Sequence, residues 1–405
     1  MVQKQALLIS YDFPPSNRVA VQRSLAMAYH LMQIGWDIKI LTVGPKCYES
    51  IDKNLFTSLE LEQATTHAWA FNTRKIGFRG KYIDFFTIPD EWISWLIPAL
   101  IKGRQLIKAN KFDCIWSTCP PFTTEFIAGL LSKRYNIPWV ADYRDPVLKG
   151  DHGKGVIGQA WGIDKVDAFT IKHASKVVFT TTEALDLYKR YYPNTDHKKF
   201  SVIQNGYYDL PNIDRAQLKT QYSAKPTKHI LYSGSIYGAR NPSLILEALE
   251  LLKQEGRIAV GDIKLQFQGN GLKHTLAPLI GKFALESFVD VLPSVGFEES
   301  IKNMYQADAL LLIQGEKFNL HIPAKAYEYI ASKRPIISFC PSGGATAMLL
   351  KDIPNSFAVD SLETVTAALI MVLNDAFDIP NHEVAPYARK SRALELDTLF
   401  TGLSR

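Results

Sequence analysis

Cysteine is scarce in this 405-residue chain: Cys47, Cys114, Cys119 and Cys340 are scattered, with no CxxC pair. That usage excludes a disulfide scaffold and fits reduced, mostly buried thiols in a cytosolic protein. Long hydrophobic runs are also missing. The longest, WISWLIPALI at 92–101, is broken by Pro98 and falls well short of the roughly 20 residues a spanning helix needs. The opening MVQK leads directly into strand-like ALLISY, so no secretory leader is expected and the protein is placed in the cytoplasm. No strand-like run is followed by GxGxxG, nor by GxxxxGK with Ser or Thr, which disfavours a dehydrogenase or a P-loop enzyme. No cluster of His, Cys, Asp or Glu has metal-ligand spacing, so neither a metal nor a cofactor is expected.

What is present is ordinary globular material, 47% hydrophobic and 21% charged, in a length that suits two domains of about 200 residues. The net charge of +6 is unevenly placed. Residues 1–200 hold 26 Lys and Arg against 19 Asp and Glu, whereas 201–405 hold 20 against 21. A half carrying +7 beside one carrying −1 suggests either an anionic partner for the first half or only a solvated basic surface. Nucleic acid is disfavoured, because the basic residues do not interleave with aromatics in one module and no recognition motif is present.

Strand and helix patterns alternate throughout. ALLISY, WDIKILTV, FDCIWST, IPWVADYR, SKVVFTT and KFSVIQNG are separated by amphipathic stretches such as 18–34, 122–135 and 182–192. After a polar region the alternation restarts with KHILYSGS, IKLQFQGN, SFVDVLPSV, DALLLIQG, RPIISFC and SFAVD. Such runs predict two α/β domains, each a doubly wound parallel sheet covered on both faces. The segment 205–216 is the expected hinge, and the charged helix at 385–403 is free to return to the first domain.

Open parallel sheets bind ligands at the carboxyl ends of their strands, so the residues after each strand matter most. In SGSIYGARNP, Gly234 ends a strand, Arg240 follows, and Asn241–Pro242 starts a helix. A guanidinium beside a helix start suits a diphosphate, although an ordinary turn with a surface Arg reads the same way. In HIPAKAYEYIASKRPII, Pro323 starts a short helix in which Ala326, Tyr329 and Ile330 repeat at helical spacing, and Pro335 stops it. Glu328 is not called for by that pattern. A carboxylate there suits a ribose diol, and Lys325, one turn earlier, is expected on the same side, facing a phosphate. Exposed charges on an amphipathic helix are the competing reading. In QGNG, Gly269 and Gly271 would let a flat base lie against the main chain.

These residues carry a family resemblance. The second half resembles the donor-binding domain of retaining GT-B glycosyltransferases of the large family four, or group 1, class. There a strand ends in Gly-Arg with a Lys five residues on; here Gly234–Ser235 take the pair and Arg240 the Lys position. The family's Glu-x7-Glu signature ends in a ribose-binding Glu, the role YEYIASKRP gives to Glu328, while its first Glu falls at Leu320. IPAKAYEY resembles the branch with Pro-x-Lys before the helix, found in surface-polysaccharide and lipid-linked oligosaccharide synthesis. ISYDFPPSNRVAVQRSLAMAYHLMQIGWDIKILTV resembles the family's opening, a Gly- or Ser-rich loop after strand one followed by a helix with Arg. STCPPF and VADYRDP resemble the same branch's SxPP and DxRDP elements and NGYYD the interdomain NGxD, so the resemblance covers about 5–380.

The resemblance implies two Rossmann-like domains facing across a cleft: 1–206 for the acceptor, 207–384 for the donor, and 385–405 as a helix packing back on the first. It implies metal-free, retaining transfer from a UDP- or GDP-sugar to a glycan or lipid-linked acceptor. The donor side would comprise Gly234, Ser235, Arg240, Gly269, Asn270, Asn319, His321, Ile322, Pro323, Lys325 and Glu328, with backbone N–H groups at 319–323. Arg240 and Lys325 would stabilise the leaving diphosphate. On the acceptor side stand Ser16, Asn17, Arg18 and Arg144, with Asp142 or Asp145 orienting a hydroxyl; Arg144 and Asp145 would equally serve as a structural ion pair. His321 and His152 are lone histidines. A nucleotide-sugar epimerase, or a non-catalytic nucleotide-sugar binding protein, would share the two-domain architecture. Finally, Trp92, Trp95, Leu96 and Ile97 precede Lys102, Arg104, Lys108 and Lys111. Such a segment either dips into an anionic membrane interface or packs on the sheet as an ordinary helix.

Overall fold

The apolar runs assemble into two parallel sheets, one in each of two units. The computed structural model describes residues 4–52, 55–73, 77–78, 81–82, 87–147, 157–220, 226–237, 240–377 and 382–403. Contacts divide the chain into Met1–Leu210 with Ala388–Arg405, and Pro211–Tyr387.

The first unit holds β1 (Gln5–Ile9), β2 (Asp37–Val43), β3 (Thr65–Ala68), β4 (Cys114–Cys119), β5 (Trp139–Tyr143), β6 (Lys176–Phe179) and β7 (Phe200–Val202). Their order is β3-β2-β1-β4-β5-β6-β7, with every pairing parallel. The order reverses between β1 and β4, where an open sheet leaves room for ligand beyond its carboxyl ends. β4 and β5 are buried at every position, and they carry Ser117, Thr118 and Asp142 inside along with their apolar residues.

A buried arginine ties this unit together. Arg23, on α1 (Val21–Gln33), donates from Nε and Nη2 to the two oxygens of Asp142, both at 2.9 Å. Its other N–H groups reach the Ile203 and Gln204 carbonyls at 2.9 Å and Asn205 Oδ1 at 3.1 Å. All five donors of the fork therefore have acceptors. The NGYYD segment is held twice more, because Asp209 accepts from His30 Nε2 at 2.8 Å and from the Lys390 N–H at 2.9 Å. Lys390 lies in the C-terminal helix, Arg389–Leu403, which packs on α1 as expected. Arg389 donates to the Gln22 carbonyl at 3.0 Å, and Trp36 Nε1 to Asp397 at 2.8 Å.

Two tryptophans go where the interface reading does not put them. Trp92 and Trp95 are 6% and 0% exposed, packed around the Tyr11 ring at centroid distances of 4.5 and 5.7 Å. They precede α2 (Leu96–Ala109) and fill the space beside the end of β1, so they cannot dip into a membrane. What α2 leaves outside is Ile97 and Ile101, at 68% and 54% exposure, beside exposed Lys102, Arg104, Lys108 and Lys111. Among the described residues no helix is long and apolar enough to cross a membrane.

α3 (Phe122–Tyr135) buries an acid, Glu125, completely. Its Oε2 accepts from Ser117 Oγ at 2.5 Å, and Ser117 in turn accepts from Trp139 Nε1 at 2.7 Å. Burial pushes the Glu125 carboxyl up to about 8, against the pull of the Ser117 bond.

The second unit holds β8 (Lys228–Ser233), β9 (Ile263–Gln268), β10 (Val289–Leu292), β11 (Ala309–Ile313), β12 (Ile336–Phe339) and β13 (Ser356–Ala358). Their order is β10-β9-β8-β11-β12-β13, again all parallel. Three helices matter for the site: α4 (Arg215–Thr220), α5 (Phe297–Gln306) and α6 (Ala324–Ser332). In α6, Pro323 is the extended N-cap, and Ala326, Tyr329 and Ile330 are buried as their spacing predicts. Lys333, left-handed at φ +61°, ends the helix two residues before Pro335.

Candidate functional site

The carboxyl end of β8 is a close meeting of backbones. Gly234 turns at φ +126°, and its N–H donates to the Gln268 carbonyl at 2.8 Å. A Cβ on Gly269 would stand 2.4 Å from the Gly234 carbonyl oxygen, so only glycine fits there. Next to it, Asn270 accepts from Ser294 Oγ at 2.6 Å.

Two cations flank this turn. From α6, Lys325 Nζ donates to the Ser233 carbonyl at 3.1 Å and stands 3.6 Å over the Tyr232 ring. From the β8 loop, Arg240 donates to Gln314 Oε1 from Nε and Nη2, at 3.3 and 3.1 Å, and to the Ser235 carbonyl from Nη1 at 3.3 Å. Its guanidinium lies over the rings of Tyr237 and Phe318, at 4.5 and 5.0 Å. Every one of these acceptors is neutral, and among the described residues no carboxylate pairs with either cation. Burial, with Arg240 beside it, holds the Lys325 ammonium well below its ordinary value.

The loop entering α6 is more self-contained than its sequence suggests. The Asn319 and His321 N–H groups donate to Glu316 and Phe318 carbonyls at 3.1 and 2.9 Å, within a tight turn. The carbonyls of Asn319 and His321 are tied to Ala345 and Thr346, at 2.8 and 2.9 Å. Ile322 is buried and Pro323 has no N–H, so most of the backbone donors expected at 319–323 are already used or lacking.

Glu328 acquires a partner that local sequence does not disclose. Only 3% exposed, it accepts at Oε2 from Arg215 Nη2 at 2.5 Å. Lys325 and Glu328, expected on one side, instead end at different partners: the β8 terminus for the lysine, and Arg215 of α4 for the glutamate.

In the first unit, the four acceptor-side residues and the two aspartates cluster around β1 and β5 in unequal ways. Asp142 is 2% exposed and spent on Arg23, so an acceptor hydroxyl does not reach it. Asp145 is exposed. Arg144 is buried, and its Nη2 faces Asp12 at 3.7 Å while its Nε donates to the Cys119 carbonyl at 3.2 Å. Arg18 Nη1 reaches the other Asp12 oxygen at 3.4 Å. Ser16 is buried and Asn17 accepts from Ser50 Oγ at 2.5 Å. His152 lies outside the described residues. Asp12, Arg23 and Glu125 are not among the expected site residues; Asp12, just past β1, and Arg23, in the helix that follows, carry a positional signal, whereas Glu125 carries none.

No protein-family model matches the chain, and no curated protein sequence matches it. Solved structures do. Sucrose-phosphate synthase from Thermosynechococcus elongatus matches with a TM-score of 0.62 at 14% identity, over 99% of each chain. UDP-GlcNAc 2-epimerase from Methanocaldococcus jannaschii gives 0.59 at 14% identity, over 98% of this chain and 99% of that one. Anabaena HepE, in complex with UDP and glucose, gives 0.57 at 13%, over 99% and 97%. The chain has the GT-B fold.

Within that fold, the second unit brings two cations and neutral acceptors to a strand end. This arrangement can stabilise an anion, and fixed cations aimed at developing charge are the main electrostatic means of catalysis. Among the described residues no group of three or more His, Cys, Asp or Glu is arranged to hold a metal ion.

Proposed function

We propose that the chain is a retaining, metal-independent glycosyltransferase that takes its sugar from a nucleotide-sugar. The observation that carries this reading is the Arg240–Lys325 pair, unopposed by any carboxylate among the described residues, at the carboxyl end of β8 in a GT-B fold. As the acceptor oxygen bonds to the anomeric carbon, the bond to the diphosphate breaks, its electron pair leaves with the nucleotide, and the acceptor's hydroxyl proton passes to the departing phosphate oxygen. Arg240 and Lys325 then meet the charge gathering on the phosphate oxygens, while Glu328 accepts from the ribose diol and Gly269 lets the base approach the backbone. A neighbour solved with UDP favours uridine as the nucleoside to try first. The test is a panel of UDP- and GDP-sugars screened for protection against thermal unfolding, followed by sugar transfer with the protecting donor. Failure of every nucleotide sugar to protect would overturn the reading.

The acceptor is a glycan or lipid-linked sugar of cell-surface polysaccharide synthesis, presented at an anionic membrane to which the first unit docks peripherally. Support comes from α2, which has no acidic residue and exposes Ile97 and Ile101 beside four cations. The likeness to a UDP-GlcNAc 2-epimerase supports a second reading, epimerisation of the donor. Incubating donor alone and looking for its epimer separates the two.

A further inference from the structure

We infer that Arg215 is a positioning residue that aims the Glu328 carboxylate at the ribose of a bound nucleotide. The inference rests on the donor reading above and names a residue that no motif marks.

A glutamate on a helix has three side-chain torsions, and a useful acceptor must have them fixed before the ligand arrives. Here the fixing is done by a closed circuit of three helices. Tyr305, at the end of α5, donates its hydroxyl to the Ala331 carbonyl of α6 at 3.0 Å. The same hydroxyl accepts from Arg215 Nη1 at 3.1 Å, and Arg215 Nη2 closes on Glu328 Oε2 at 2.5 Å. Arg334, just past α6, holds the Tyr305 carbonyl from Nε and Nη2 at 3.1 and 2.8 Å. Glu328 and Ala331 lie on one helix, so the circuit begins and ends on the element it orients. The guanidinium also meets the carboxylate's charge with a charge-assisted hydrogen bond. A lysine would supply the charge but not the planar fork that spans Tyr305 and Glu328 together.

The experiment compares UDP and GDP, and for whichever binds, its 2′,3′-dideoxy analogue, by titration calorimetry. The parent protein is expected to prefer the ribonucleotide by about tenfold, the worth of hydrogen bonds to a charged acceptor. Arg215→Gln should weaken the ribonucleotide by about tenfold and leave the dideoxy analogue within about twofold, erasing the preference. Arg215→Lys and Tyr305→Phe should reduce it partially, and they keep the test decisive should the glutamine variant fail to fold. A purely structural arginine predicts equal losses for both nucleotides, and that result, or an undiminished preference, overturns the inference. A parent that binds neither nucleotide overturns the donor reading itself; one that binds without preference overturns the ribose role of Glu328.

Discussion

Asp142→Ala is the most informative single change in the first unit. The sequence makes Asp142 a candidate for orienting an acceptor hydroxyl, whereas the structure has both its oxygens at 2.9 Å from Arg23. The two side chains are 5% and 2% exposed. Truncating the aspartate therefore leaves a buried guanidinium with only three neutral acceptors, the Ile203 and Gln204 carbonyls and Asn205 Oδ1. Breaking one side of a buried ion pair costs about 3–5 kcal/mol. For a unit of this size that is roughly a 10 °C fall in the melting temperature. Replacing both partners, as Arg23→Met with Asp142→Leu, should recover part of the loss, because no unpaired charge remains. Recovery stays incomplete, since the 203–205 carbonyls lose their donor.

Urea unfolding and thermal melting of the three proteins measure this directly, with sugar transfer assayed well below the lowest melting point. If Asp142 is structural, the alanine variant melts early yet retains turnover while folded. A variant that melts with the parent but has lost transfer would refute the argument and return Asp142 to catalysis.

The remaining expectations are shorter. Lys325 has its ammonium pulled down by burial and by Arg240, so an arriving diphosphate should raise it and take up at most one proton. Affinity for a nucleoside diphosphate should then fall as pH rises, by no more than about tenfold per pH unit, with calorimetric heats that depend on the buffer. Lys325→Met should abolish both effects; buffer-independent heats in the parent would contradict the reasoning. Glu125 ionises near 4.5 when unfolded but holds its proton up to about 8 when folded. The unfolded state therefore binds fewer protons in that window, and stability erodes as pH rises through it, by on the order of 4 kcal/mol at pH 8. Glu125→Gln should flatten that slope in urea titrations at pH 5 and 8, and parallel curves for the two proteins would dismiss it. The first unit should bind anionic but not neutral vesicles at low salt, at about 1 kcal/mol per basic residue. Lys102→Glu with Lys108→Glu should weaken binding; indifference to lipid charge would favour a soluble acceptor.

Much of the fold is legible because parallel strands are buried on both faces. ALLLI is a continuous apolar run for that reason, and the alternation of such strands with helices dictates two wound sheets. Helix limits follow from stops such as Pro335. The partners of charged residues are not legible, because they are distant in sequence: Arg23 meets Asp142 119 positions away, and Arg215 meets Glu328 113 away. Nor does the order of residues in 91–111 say which way an aromatic faces. Trp92 caps and Trp95 ends a single 3-10 turn, Ile93–Trp95, too short to establish a period, and Tyr11 of another element decides their burial.

The two charges on α6 illustrate what that distinction means for a ligand. Glu328 is already offset within the protein, by an arginine that stays charged at any ordinary pH. Lys325 is not: it sits desolvated beside a second cation, and its acceptors are a carbonyl and a ring face. The free energy still to be gained on binding is therefore concentrated at the β8 end, where only negative charge can supply it. Toward Glu328 a second anionic group would meet a carboxylate, whereas neutral hydroxyls would donate to it. A molecule charged at one end and carrying neutral hydroxyls at the other suits both at once. A plain polyphosphate suits only one, and should bind more weakly than a nucleoside diphosphate of equal charge.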